Sequence, residues 1–255
     1  MYTQKDIRAV QLRLLTMGKS ICSILENNGI PYFITYGTLL GAVRHQGFIP
    51  WDDDFDLYLF SDSYENAIST LRKELPKNYF VEDKKTEPLY FHAWTHVKDL
   101  NSVVHCDLFP QDNAYTHHGI SVDLYKATKM PENKERLFRL TEHLDYLNRK
   151  HDVHLIDEDS YRQKTMLLQK EIVQEKDRLH TENGLLRELY TFPSIYDDRL
   201  YPEELLPLKR YRFEDTEFYG PCNAEIFLSR CYGDYMSLPP IEKRRPHYSE
   251  VTFLL

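Results

Sequence analysis

Long hydrophobic runs are missing from this 255-residue sequence: no stretch approaches the length of a membrane span, and the opening MYTQKDIRAV lacks the apolar core of a signal peptide. A cytoplasmic protein is expected, and any work at the inner membrane face would be by peripheral contact. Cysteine is scarce. Cys22, Cys106, Cys222 and Cys231 stand without C-x-x-C spacing, so reduced, partly buried thiols are expected, with Cys106 a small hydrophobe rather than a nucleophile. HExxH is absent and the eleven histidines are scattered. His92 and His96 fall four apart in an expected strand, which would hold them roughly 13 Å apart and argues against a zinc pair. Excess positive charge is also lacking. The net charge of −8 argues against a general nucleic-acid binder, yet leaves a nucleotide substrate open because a bound cation reverses the local field. No internal repeat or low-complexity tract is present. What remains is ordinary for a globular protein, 42% apolar and 28% charged, and long enough for one large domain or a domain with an insert.

The most informative stretch runs from Tyr32 to Phe60. Tyr32 to Tyr36 are β-branched and aromatic and read as a buried strand stopping at a Gly37-Thr38 turn, with a short helix through Leu39 to Val43. A loop with Gly47 and Pro50 then delivers Asp52, Asp53, Asp54 and Asp56 into a second strand from Phe55 to Phe60. Phe55, Leu57 and Leu59 claim one face by period two, so Asp54 and Asp56 share the other, their Cα atoms roughly 6.5 Å apart at about 3.3 Å per residue. Burying such charges together is costly without a counter-charge, and a hard divalent ion, Mg²⁺ or Mn²⁺, suits oxygen ligands of this kind. Asp52, in phase with them, is the substitute ligand.

The same stretch resembles the LicD family of phosphocholine transferases, to which the fukutin-type transferases are related. The match is to Gly37-Thr38-Leu39-Leu40-Gly41-Ala42-Val43-Arg44-His45 and Gly47-Phe48-Ile49-Pro50-Trp51-Asp52-Asp53-Asp54, with Phe55-Asp56 close behind. Weaker echoes follow at Val97-Lys98-Asp99, Asp107-Leu108-Phe109-Pro110 and Tyr232-Gly233-Asp234. The resemblance implies a nucleotidyltransferase-like α/β (α+β) fold, a mixed sheet flanked by helices, in which a glycine-containing turn precedes a strand carrying two acids. Gly37-Thr38 departs mildly from the Gly-Ser or Gly-Gly of that pattern and keeps a hydroxyl. A third acid from a neighbouring strand is implied, and Asp107 is the matching position. Asp54, Asp56 and Asp107 are therefore the expected catalytic and metal-binding residues.

Elsewhere the pattern predicts an α/β core with added helices. Ile7, Val10, Leu14, Met17, Ile21 and Ile24 mark one face of a first helix, and Tyr64, Ala67, Ile68, Leu71 and Leu75 one face of another. Short strands at 79–82, 89–98 and 103–109 are expected, the last two as an antiparallel hairpin around Asp99 to Ser102. Residues 131–208 read as a helical insert able to shape acceptor specificity. They separate a core, 1–130, from a closing segment, 209–255, with an extended piece at Tyr211 to Glu214, a helix from about Asn223, and the basic run Lys243-Arg244-Arg245 before His247. That run is either a solvated tail or a means of meeting phosphate or an anionic surface.

The chemistry implied is transfer of a phosphoryl-alcohol group, phosphocholine for example, from a CDP-activated donor such as CDP-choline to a sugar hydroxyl. The acceptor would be a cell-surface glycan, glycolipid, lipopolysaccharide or teichoic-acid precursor, and CMP would leave. Gly37 and Thr38 would seat phosphate at a helix start. Arg44 and His45 either meet phosphate or face solvent, and Lys98 either binds donor or finishes a strand. Trp51 and Trp94 could offer a π-face to a quaternary ammonium, with core packing the simpler reading. A true nucleotidyltransferase releasing diphosphate and a noncatalytic nucleotide-binding module are the alternatives.

Overall fold

The structure, a computed structural model, describes residues 3–107, 109–181 and 187–254. Helix α1 (Gln4–Asn27) starts at a reciprocal cap in which the Thr3 hydroxyl accepts from the Asp6 N–H and the Asp6 carboxylate accepts from the Thr3 N–H. Its buried stripe includes Ile7, Val10, Leu14, Met17 and Ile21, the residues that the 3.6-residue period selects. Ile24 is only partly buried, and Leu25 beside it is fully buried.

Strand β1 (Tyr32–Ile34) runs almost directly into α2 (Tyr36–His45), so Gly37 and Thr38 lie in the first turn of the helix, one residue past the bend. The bend itself falls on Tyr36, whose φ of +42° is unusual for a bulky side chain. Its hydroxyl, donating at 2.6 Å to buried Asp198, holds it there. Gly41 is required for a different reason: a methyl group in its place would lie 2.4 Å from the carbonyl oxygen of Gly47.

The main sheet is built from β1, β2 (Asp56–Phe60), β3 (Tyr79–Glu82), β4 (Thr95–Asp99) and β6 (Ser121–Pro131), in the order β1-β2-β6-β4-β3. Helix α3 (Tyr64–Glu74) joins β2 to β3 and buries Tyr64, Ala67, Ile68 and Leu71. The β2–β6 pair is parallel, with Asp56 opposite Asp123, Leu57 opposite Leu124 and Tyr58 opposite Tyr125. All other pairings are antiparallel. Phe55, Leu57 and Leu59 are fully buried on the face opposite the acids.

The expected hairpin of 89–98 with 103–109 does not form. Both edges of β4 are occupied, by β3 and β6, so β5 (Ser102–Cys106) leaves the main sheet and pairs with the last strand, β10 (Tyr248–Phe253). It ends at Cys106, and a short 3₁₀ turn follows at Pro110–Ala114.

The 131–208 segment is helical only in part. Helices α4 (Glu135–Asp152) and α5 (Glu158–Thr181) pack on each other, and β7 (Glu188–Thr191) then extends the sheet beside β6. Arg139 of α4 donates to Asp198 at 2.7 Å, tying the helix pair to the buried carboxylate that also accepts from Tyr58, Thr191 and Ser194. A short α6 (Pro202–Leu205), the hairpin β8 (Lys209–Phe213) and β9 (Thr216–Gly220), and α7 (Ala224–Tyr232), ended at Gly233 with φ +67°, lead to the closing strand. The four cysteines form no disulfide. Among the described residues no helix is long and apolar enough to cross a membrane.

Candidate active site

A cavity of about 1370 Å³ opens over the ends of β2, β6 and β4, and Asp52, Asp54, Asp56 and Asp123 stand together in its wall. Two of these come from the strand alternation foreseen at Asp54 and Asp56. The third comes from the parallel register, which sets Asp123 beside Asp56. Burial, followed by repulsion from Asp54, Asp123 and Asp52, drives the Asp56 carboxyl well above the ordinary range. Asp123 is pushed up to about 7, first by burial and then by Asp54. Asp52 and Asp54 are raised mainly by burial and share a hydrogen bond between their carboxyl groups.

This set fits a divalent cation. One carboxylate oxygen, Asp54 Oδ1, is buried without a hydrogen-bond partner, and burial together with mutual repulsion makes ionisation of the acids around it costly unless a cation joins them. Gly37 is part of the same construction: a methyl group there would lie 2.7 Å from Asp52 Oδ2. Only glycine lets the first turn of α2 approach the acids this closely.

Asp53, pointing the other way, closes the site from behind. Its carboxylate accepts from the backbone N–H groups of His247 at 2.7 Å and Tyr248 at 3.1 Å. The His247 ring reaches both Asp53 and Asp54, at 3.3 and 3.2 Å. Burial alone would lower its pKa, but the charges of Asp54, Asp53 and Asp52 raise it to about 11. Asp52, Asp53 and His247 also cluster closely enough to hold an ion, yet an imidazolium has no lone pair to offer. Its role is that of a fixed counter-charge.

The remaining expected residues fall in different places. Asp107 is not brought to the acid pair: it follows the end of β5, its side chain is about two-thirds exposed, and it accepts from Ser249 Oγ at 3.1 Å. The β5–β10 pairing brings the Asp107 backbone N–H to the His247 carbonyl at 3.1 Å, but the side chain is left on the exposed side of the chain. The Thr38 hydroxyl accepts from the Asp56 N–H at 2.8 Å, so it positions the acid strand rather than facing a phosphate. Arg44 lines the cavity but donates to the carbonyls of Tyr235 and Ser237, at 2.6 and 3.3 Å, fixing the loop after α7. His45 accepts from Arg44 Nε at 3.4 Å and packs edge-on to Trp51, outside the cavity lining. Lys98 does line it, buried, with Nζ 3.9 Å from Glu82.

Sequence reasoning missed Asp123. It also held the two histidines apart, whereas the structure places the rings of His92 and His96 5.0 Å apart, because β4 begins only at Thr95 and the chain bends at 93–94. Asp112, from the 3₁₀ turn, meets His92 Nε2 at 2.8 Å.

Residues 29–144 match the family described as LicD/FKTN/FKRP, nucleotidyltransferase domain. The likeness to the LicD family lies in this stretch, a little under half of the chain. The match covers α2, the acid loop and strands β1 to β6. Beyond it, the chain is 25% identical over 275 aligned residues to the lipopolysaccharide cholinephosphotransferase LicD of Haemophilus influenzae, covering 99% of this chain and 98% of that one. It is 29% identical over 134 residues to an uncharacterized protein of Rickettsia prowazekii, with 45% and 47% of the two chains covered. Over 94 residues it is 32% identical to the mouse ribitol 5-phosphate transferase FKRP, covering 35% of this chain and 18% of that. Both named LicD relatives are transferases of a phosphorylated alcohol. The alignment with the Haemophilus protein runs over nearly the whole chain, the segment from α4 to β10 included.

Proposed function

We propose that this chain transfers a phosphoryl-alcohol group, phosphocholine in the leading case, from a CDP-activated donor to a sugar hydroxyl of a glycan or glycolipid acceptor. The observation that carries the reading is the orphaned Asp54 oxygen among four acids in the wall of a cavity large enough for both substrates. Asp54 and Asp56 would hold Mg²⁺ or Mn²⁺, with Asp123 in the third-acid position for which the sequence offered Asp107. Once bound, the ion would neutralise phosphate oxygens of the donor.

The protein's own groups supply the rest. Lys98 in the cavity wall, with Lys243 and Arg245 from the closing segment, places positive charge where a diphosphate would lie. Asp123, in the cavity wall beside Asp56, is placed to take the proton of the attacking hydroxyl. Thr38 holds the strand that carries Asp56, and His247 holds Asp54, so the reacting groups need little rearrangement. Trp94, Tyr125 and Phe192 form one aromatic wall, with centroids 5.0 to 6.2 Å apart, and offer π-faces to a quaternary ammonium. Trp51 is engaged by Arg244, whose guanidinium lies 5.0 Å from its ring. His143, Tyr146 and Arg149 of α4 also line the cavity and suit the acceptor.

The test is product analysis. CDP-choline, Mn²⁺ and a glycan acceptor should give CMP and a product heavier by phosphocholine, with Asp56→Asn inactive. Diphosphate release from a nucleoside triphosphate, without any response to CDP-alcohols, would overturn the reading in favour of a nucleotidyltransferase. Metal-dependent thermal stabilisation by CDP-choline, larger than by CTP, should precede the search for the acceptor.

A further inference from the structure

We infer that His92, His96 and Asp112 form a second metal site, one for a borderline ion such as Zn²⁺, separate from the acid cluster that suits a hard cation. Each of the three offers a ligand atom, and these atoms all lie within 4.8 Å of one another. Both histidines are almost fully buried, and the Asp112 side chain is 9% exposed. Two neutral imidazoles and one carboxylate make a donor set that zinc accepts as three protein ligands with a fourth position open. All three residues also line the large cavity, so the open position faces the space that substrates would enter.

The hydrogen bonds define which nitrogens are available. Trp94 Nε1 donates to His96 Nε2 at 3.0 Å, which identifies Nε2 as the nitrogen with the lone pair. The proton is then on Nδ1, and that atom faces the buried Glu82 carboxylate at 3.4 Å. A carboxylate behind the far nitrogen of a histidine is the arrangement that orients metal-ligating imidazoles. A second observation points the same way: His92 Nδ1 is buried and meets no hydrogen-bond partner, and neither does Glu82 Oε1. The hydrogen bonds of His92 run only through Nε2 to Asp112, and the rings packed around it leave the buried Nδ1 unsatisfied. Metal binding would displace the Trp94 indole N–H from His96, and Trp94 is only partly buried at the cavity wall.

The site adjoins the acid cluster without being part of it. His96 Nε2 lies 3.6 Å from Asp123 Oδ1, so an ion held by the histidines would sit next to the third acid of the cation site. The two are separable because their ligands differ in hardness: imidazole favours zinc or cobalt, whereas a set of carboxylates favours magnesium or manganese.

Co²⁺ is the probe, added to chelator-stripped protein with excess Mg²⁺ present to fill the acid cluster. The expected result is one Co²⁺ per chain with the strong visible absorption of a four-coordinate ion, displaced by Zn²⁺. Asp54→Asn should keep that spectrum, whereas His92→Ala and Asp112→Asn should lose it. Glu82→Gln should weaken binding by about 10- to 100-fold. Trp94→Phe, which frees the His96 lone pair, should bind at least as tightly as the parent. Asp112 lies on a short turn outside the sheet, so Asp112→Asn decides the matter even if His92→Ala fails to fold. Undiminished cobalt affinity in Asp112→Asn, or only the weak bands of a six-coordinate ion in the parent, would overturn the proposal. Loss of the spectrum in Asp54→Asn alone would assign the ion to the acid cluster and overturn it equally. None of these readouts depends on transferase activity.

Discussion

Replacing Asp123 by asparagine should make the metal-free protein more stable and its response to metal weaker. An aspartyl carboxyl ordinarily titrates near 3.8, and in the folded chain this one is pushed up to about 7 by burial and by Asp54. Between those values the unfolded chain ionises Asp123 while the folded chain keeps it protonated. The residue's contribution is therefore most favourable at low pH and is lost as the pH rises toward 7. At about 1.4 kcal/mol for each pH unit between the two, the penalty at pH 8 has a ceiling of about 4 kcal/mol. Relaxation of the cavity wall and charge sharing with Asp54 reduce this, and roughly 2 kcal/mol corresponds to a melting temperature higher by about 4–8 °C for a chain of this size. Denaturation in EDTA at pH 8 should show that gain, and at pH 5 most of it should vanish. With Mn²⁺ at a hundredfold over its Kd, the parent should gain about 2.7 kcal/mol and the variant distinctly less. No gain in EDTA at pH 8, or equal Mn²⁺ stabilisation of both proteins, would refute the placement of Asp123 in the cation site.

Other outcomes follow from the same geometry. Asp107→Asn should leave turnover essentially unchanged, as for other exposed substitutions, whereas Asp123→Asn should reduce it by about a hundredfold or more in a CMP-release assay. Thr38→Val removes the acceptor for the buried Asp56 N–H and should cost about 1–3 kcal/mol in urea denaturation. His247→Ala should destabilise the metal-free protein at neutral pH. Because the folded pKa is raised, to about 11, that difference should be full below about pH 6.5 and fade as the pH climbs to 11, as pH-dependent melting will show. Gly37→Ala drives a methyl group against Asp52 and should weaken Mn²⁺ binding in calorimetric titration while retaining helical circular dichroism.

Much of this architecture is legible in the sequence because it rests on local periodicity. The stripe from Ile7 to Ile21 and the alternation of Phe55, Leu57 and Leu59 against Asp54 and Asp56 are fixed by 3.6- and 2-residue repeats that tertiary contacts only reinforce. Pairing is not local, and there the reading fails. Nothing in residues 89–109 says that β4 already has two partners, so a turn-like Asp99 to Ser102 suggests a hairpin that the sheet has no room for. Nor does the sequence say that the Asp107 side chain, just past the end of β5, is exposed and meets Ser249. A signal for Asp123 does exist: Asp123-Leu124-Tyr125 repeats Asp56-Leu57-Tyr58, and the two tripeptides lie side by side in register. The histidine pair was misjudged by assuming that the strand began before His92. A bend at 93–94 turned a separation of roughly 13 Å along an ideal strand into adjacent rings.

The grip of Asp53 on the backbone of His247 and Tyr248 joins positions 194 and 195 residues apart. For a chain made from its N-terminus, this means that the acid loop is synthesised early and braced late. Until residue 248 has left the ribosome, four neighbouring aspartates have neither the His247 counter-charge nor the wall that β10 provides, and they must stay hydrated. On the proposed reading, the braced form of the cation site would be complete only once the last strand is in place. Arrested nascent chains ending before and after residue 248 should differ sharply in protease protection around Trp51 and Phe55, a contrast that ordinary refolding from denaturant would conceal.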